Sequence, residues 1–202
     1  VIVEAVASAG PRRARPLSVE DRQSSIIDAV IPLLLEYGKD VTSRQIAEAA
    51  GIAEGTIFRA FGDKESLIAA AVKRYLDPLP LRTALLSIST DLPLHDKLHN
   101  VFRLLEDRFR GVIRMMSAVG MQAPPPSREV RQDFAEIIGN LLAEHADELR
   151  IAPERVAQFA RVVAFASAIP AFGDSTPFTF DELVDLFEHG VVRAASPLRK
   201  KN

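Results

Sequence analysis

Arg44, Thr56, Arg59 and Lys64 are hydrogen-bond donors set into a stretch of small and aliphatic residues, Thr42 to Leu67, TSRQIAEAAGIAEGTIFRAFGDKESL. Donors on one face of a short helix can reach base edges, and cations on its neighbours can hold phosphates. Other chemistry is less well supplied. His95 and His99 stand one helical turn apart, the spacing of helical zinc sites. The acid between them is Asp96 rather than Glu, and no third ligand lies nearby. His95, His99, Arg103, Glu106 and Arg110 instead form one polar stripe opposite an apolar one, as a solvated helix face would. No metal or other cofactor is expected. The chain has no G-x-S-x-G, no phosphate-binding loop and no glycine-rich dinucleotide fingerprint. Adjacent acids such as Glu106 and Asp107 diverge on a helix. With no nucleophile or base to name, an enzyme is not expected.

The donors need elements to position them. Thr42 followed by Gln45 is a capping-box start for a first helix. Ile46 and Ala47 end its apolar side, and Ala47 is small enough for close packing by a second helix. Gly51 suits the tight turn between the two, and Ile52 and Ile57 are placed to bury against the first. This is a helix-turn-helix, with Glu54 to Phe61 as the reading helix. Thr56 and Arg59 face outward on it, and Ile57 and Phe61 inward.

Size and charge set limits on the rest. The chain has 202 residues, enough for one large or two modest cores, and a formal charge of −2. Between Pro11 and Arg74 stand ten Lys/Arg and nine Asp/Glu. DNA binding must then rest on placed residues rather than on bulk charge. There is no cysteine, which fits a reducing cytoplasm. The N-terminal VIVEAVASAG lacks basic residues and carries Glu4, so no signal peptide is expected. The longest apolar run, Val162 to Phe172, is too short to span a bilayer, and no membrane partner is expected.

Taken in order, residues 1–17 read as a flexible basic arm ending in Arg12, Arg13 and Arg15. A first helix begins at Ser18, with Asp21 at the capping-box position and a buried stripe of Ile27, Val30, Leu34 and Tyr37. Pro32 sits inside it, and Gly38 is placed to end it as a left-handed cap. Asp63 caps a fourth helix to Leu76, and Pro78 and Pro80 mark a domain boundary. Residues 18–76 are the DNA-binding unit and 79–202 a ligand-binding and dimerisation unit. In that second unit a short helix is expected at Leu81 to Ser89, then a long one from Pro93 to Phe109. Gly111 breaks it before another short helix, Val112 to Val119. Ser127 caps a helix to near Leu149. Pro153 to Ile169 and Phe180 to Ala195 are apolar on most sides, so each needs partners on two faces. No strand-like alternation appears. The fold expected is all-α, with about nine to ten helices.

The residues Gly38, Thr42, Ile46-Ala47, Ala50-Gly51-Ile52, Gly55-Thr56-Ile57-Phe58, Phe61 and Lys64-Glu65-Ser66-Leu67 resemble the N-terminal signature of TetR-type transcriptional repressors. The resemblance covers Arg22 to Leu67 and is architectural beyond that. It departs at Phe58, where the family has a tyrosine whose hydroxyl meets a phosphate, and at Ala60, where it has a histidine. The DNA-facing set is Thr42, Ser43, Arg44, Glu54, Gly55, Thr56, Phe58, Arg59, Ala60 and Lys64. The resemblance implies a homodimer on a palindromic operator, released when a small-molecule effector enters the C-terminal half and shifts the helix from Asp63 to Leu76. For the effector pocket the candidates are Phe102, Phe109, Arg114, Met115, Met121, Phe134, Asn140, Gln158 and Arg161. For the dimer interface they are Val162, Phe165, Leu183, Phe187 and Val191. The competing reading is an all-α protein-interaction module without DNA binding.

Overall fold

Side-chain caps punctuate the chain, and the helices follow from them. The computed structural model describes residues 18–120, 127–169 and 178–193, and among these are nine α-helices. Ser18 starts α1 (Val19–Tyr37), its hydroxyl accepting from the Asp21 N–H at 3.0 Å. Thr42 and Gln45 close a full capping box at the start of α2 (Ser43–Ala50), and α3 is Glu54–Phe61. Asp63 accepts from the Ser66 N–H at 2.6 Å and starts α4 (Lys64–Tyr75). These hydrogen bonds hold the Asp63 carboxyl below the usual carboxylate range. Helix α5 is Leu79–Leu86, with Pro80 tolerated in its first turn, where no intrahelical N–H bond is needed. The remaining helices are α6 (Leu94–Val119), α7 (Arg128–Leu142), α8 (Pro153–Ser167) and α9 (Phe180–Val191). None of the described helices is long and apolar enough to cross a membrane.

Two apolar clusters form the interior, and α6 runs through both. The first joins Ile26, Val30 and Leu34 of α1 to Ile46, Ile57, Leu67 and Val72, and takes in Met115, Met116 and Val119 from the end of α6. The second gathers Leu98, Val101, Phe102 and Leu105 of α6 with Ile138, Leu142, Val156, Ala160, Val184 and Phe187. At 26 residues, α6 is about 39 Å long and ties the two together.

Here the structure differs from the sequence expectation: Gly111 does not break α6. A Cβ there would stand 2.6 Å from the Tyr75 hydroxyl, so the glycine admits the end of α4 against an unbroken helix. Close approach, not chain reversal, explains the residue. The stripe of α1 also shifts. It is Ile26, Val30 and Leu34, with Ile27 half-buried and Tyr37 exposed. The next position on that stripe is Gly38, where a Cβ would fall on the Ala118 carbonyl of α6. Gly38 is not a left-handed cap, since its φ of 60° comes with a ψ of −145°.

Helix ends move as well. Helix α7 stops at Leu142 and passes into a 3-10 turn, Ala143–His145. Beyond it Leu149 pairs with Val192 in an isolated antiparallel bridge, with Arg150 N–H donating to Val191 O at 2.7 Å. That bridge ends α9 at Val191. Among the described residues two charged side chains are buried: Lys97, which donates to Glu144, and Glu106, expected on the solvated stripe, which accepts from Arg110 at 2.6 Å.

Candidate nucleic-acid interface and effector cavity

Helices α2 and α3 meet across Gly51, which turns the chain with φ 64° and ψ 34°, and whose N–H bonds back to Ala47 and Glu48. Ile46, Ala47 and Ile57 are buried between α1, α2, α3 and α4, and Ile52 is half-buried. Burying that side leaves the other side out. Thr42, Arg44, Glu54, Gly55, Phe58 and Arg59 are exposed, with Ser43, Thr56 and Ala60 half-buried at the edges. The DNA-facing candidates other than Lys64 thus lie exposed or half-buried on α2, on α3 and at the residue that caps α2. Phe58 keeps 46% of its area exposed and offers a ring without a hydroxyl.

Lys64 has a geometric role of its own. Its ammonium donates to the carbonyls of Lys39 and Val41, each at 3.1 Å, and so fixes the turn from which α2 starts. Sequence reasoning missed Gln23, whose amide donates to the Ala60 carbonyl at 2.7 Å and anchors the end of α3 to α1. A half-buried glutamine on α1 carries no sequence pattern that would have found it.

A cavity of about 560 Å³ opens between the end of α4, α6, α7 and α8. Leu76, Leu105, Phe109, Phe134 and Phe165 supply much of its apolar wall, and Arg108, Arg131 and Arg161 its charge. Arg108 carries the link to the DNA-reading half. Its guanidinium donates to Tyr75 O at 2.7 Å and to Asp77 O at 3.1 Å, satisfying carbonyls at the C-terminal end of α4. Burial pushes its pKa down from the ordinary arginine value. One side chain therefore lines the cavity and holds the joining helix. It had a sequence signal: on the stripe Leu98, Val101, Leu105, Val112, position 108 is where an apolar residue is due.

The effector candidates scatter. Phe109, Phe134 and Arg161 line the cavity, and Gln158 lines an adjoining cleft that shares Arg131, Phe134 and Arg161. Phe102 is buried in the second cluster, with its ring 5.6 Å from that of Phe187. Met115 is buried in the first cluster, and Arg114 and Asn140 are exposed away from the cavity wall. Met121 lies outside the described residues.

The interface candidates divide by face. Val162 and Phe165 are 56% and 48% exposed, and Leu183 is half-buried. Phe187 and Val191 are corrected: at 2% and 1% exposed they belong to the chain's own core. Phe187 sits between the rings of Phe102 and Phe159, the latter stacked at 5.4 Å. The apolar residues that α8 and α9 turn outward are Phe159, Val162, Phe165 and Leu186. Helical periodicity alone does not say which of two apolar faces is the inner one.

Comparison with known proteins fits this geometry. Residues 26–71 match the sequence profile of bacterial regulatory proteins of the tetR family. Among solved structures, the fold is similar to that of a protein studied for control of antibiotic production by a bacterial hormone, at 20% identity and a TM-score of 0.59. That alignment covers 88% of this chain and 100% of the other. It is similar to a TetR-family regulator from Mesorhizobium loti, at 14% identity and a TM-score of 0.56 over 88% and 100% of the two chains. It is also similar to SmeT in complex with triclosan, at 19% identity and a TM-score of 0.54 over 89% and 99%. Residues 26–71 thus carry the N-terminal helix-turn-helix profile of the tetR family, and the fold of the chain is similar to that of TetR-family regulators.

Proposed function

We propose that the chain represses transcription in the cytoplasm as a homodimer on a palindromic operator, and that a small molecule in the α4–α8 cavity releases it. Residues 18–76 read DNA, and residues 79–202 bind the effector and the second subunit. The observation that carries this reading is Arg108, which stands in the cavity wall and grips the end of α4. A ligand that moves α6 or displaces Arg108 moves α4, and with it the placement of α3. The triclosan complex of SmeT supports a small-molecule site in a chain of this fold.

Dimerisation is supported by the outward residues Phe159, Val162, Phe165 and Leu186, on two neighbouring helices that can pair with their symmetry mates as a four-helix bundle. Two reading helices related by a two-fold then meet half-sites about 34 Å apart or a multiple of it. With Phe58 and Ala60 unable to donate, phosphate anchoring rests on Arg44, Arg59 and the arginine arm, whose residues lie outside those described.

The test is a gel shift on duplex from the chain's own upstream region, run with wild type and Val162→Glu and paired with light scattering. Wild type should shift a palindromic duplex as a dimer. The variant, with an unpaired charge at the interface, should be monomeric and lose specific binding. Absence of any shift with wild type would favour a protein-interaction module, and a wild-type monomer at micromolar concentration would overturn the dimer.

A further inference from the structure

The cavity has an unusual charge balance. Among its described lining residues are three arginines, 108, 131 and 161, and no aspartate or glutamate. The adjoining cleft adds Arg128 and Arg155, with Glu154 as its one acid among the described lining residues. Arg161 is half-buried, and both its desolvation and the neighbouring Arg131 charge pull its pKa below the ordinary arginine value. A guanidinium partly stripped of water beside a second one is relieved most by an anion. Around these charges stand Phe109, Phe134 and Phe165, with the Phe109 and Phe165 rings edge to face at 5.4 Å. The volume of about 560 Å³ falls within the range of small-molecule pockets, roughly 300–1,000 Å³.

We propose that this cavity takes an amphipathic organic anion, a carboxylate on an apolar body, with Arg161 as its headgroup partner and the three phenylalanines against the body. The inference rests on reading the cavity as the effector site and names the chemical class of that effector. A planar guanidinium offers a carboxylate two parallel N–H bonds, and the low-dielectric wall strengthens them. A cationic amphiphile would meet the repulsion of the same arginines. A neutral one would fill the apolar space and leave the Arg161 guanidinium without an anion. Arg108 lies in the same wall, so a bound carboxylate competes with the Tyr75 and Asp77 carbonyls for its donors.

Calorimetric titration of the full chain with decanoate, decan-1-ol and decyltrimethylammonium, each below micelle formation, tests this. Decanoate should bind once per chain, at least about tenfold more tightly than either analogue, a difference of about 1.4 kcal/mol. Arg161→Met should remove that advantage and leave decanol binding unchanged, while Arg161→Lys, which keeps the charge, should retain part of it. Equal binding of all three probes, no binding of decanoate, or decanoate binding indifferent to Arg161→Met would overturn the proposal. A gel shift with decanoate separates this inference from the reading beneath it. If decanoate binds through Arg161 but leaves the protein on its operator, the ligand class stands and the release mechanism fails.

Discussion

The DNA-reading half and the cavity half are both helical, but different things hold them in shape. In the first, local signals fix nearly every joint: Ser18 starts α1, the Thr42–Gln45 box starts α2, Gly51 turns into α3, and Asp63 starts α4. Its interior side chains Ile46, Ile57 and Leu67 are fully buried. In the second, Ser127 and Thr179 cap α7 and α9, but the helices are also tied by long-range contacts such as the Leu149–Val192 bridge, the Arg82–Asp133 pair at 2.9 Å and the Lys97–Glu144 pair. Its interior also opens into a cavity. A surface that must present donors in one geometry benefits from rigid, locally determined supports. A half that responds to a ligand, as proposed above, benefits from space and from contacts that can be exchanged.

The contrast can be broken most directly in the two interiors. Ile57→Ala leaves a hole in a closed core and should cost about 2–5 kcal/mol. Phe134→Ala, at a half-buried cavity wall, should cost less, about 1–2 kcal/mol, because part of that ring already faces space. Denaturant unfolding of both variants checks this, and equal losses would erase the distinction between a closed core and an open one.

The reading surface sharpens it further. Arg59→Ala should leave unfolding unchanged, since the side chain is exposed, and should weaken operator binding by about 1–3 kcal/mol. A variant that loses stability instead would show that Arg59 supports the fold.

The smallest effect concerns the contacts of the second half. His95 Nδ1 lies 2.6 Å from Glu188, joining the start of α6 to α9, and that carboxylate raises the His95 pKa above its ordinary value of 6.5. A group whose pKa is raised by folding stabilises fully below its unfolded value, and the contribution fades as pH rises through the folded value. His95 is largely exposed, so solvent screening limits the effect to a few tenths of a kcal/mol, roughly. His95→Ala should therefore lower the melting temperature slightly at pH 5.5 and not at pH about 9. An equal shift at both pH values would assign the loss to packing rather than charge.

How much of this was legible in the sequence follows the same division. Caps and turn residues act over three or four positions, so Ser18, Thr42, Gly51, Asp63 and Ser127 could each be read from their neighbours. Gly111 misled because a glycine required by a distant tyrosine looks the same in sequence as one that ends a helix. Phe187 and Val191 misled because α9 is apolar on two sides, and only the packing of Phe102 and Phe159 decides which is inner. Arg108 went unread although it interrupts an apolar stripe, since its partners are backbone carbonyls 31 and 33 positions away.

The central claim is that the cavity wall sets the position of the reading helix through the grip of Arg108 on α4. Operator affinity of an Arg108→Met dimer tests it most directly, because methionine keeps apolar bulk and removes the donors to Tyr75 and Asp77. The account predicts a folded dimer whose operator binding is weakened about tenfold without any ligand, or about 1.4 kcal/mol. A dimer that binds the operator as tightly as wild type would contradict it.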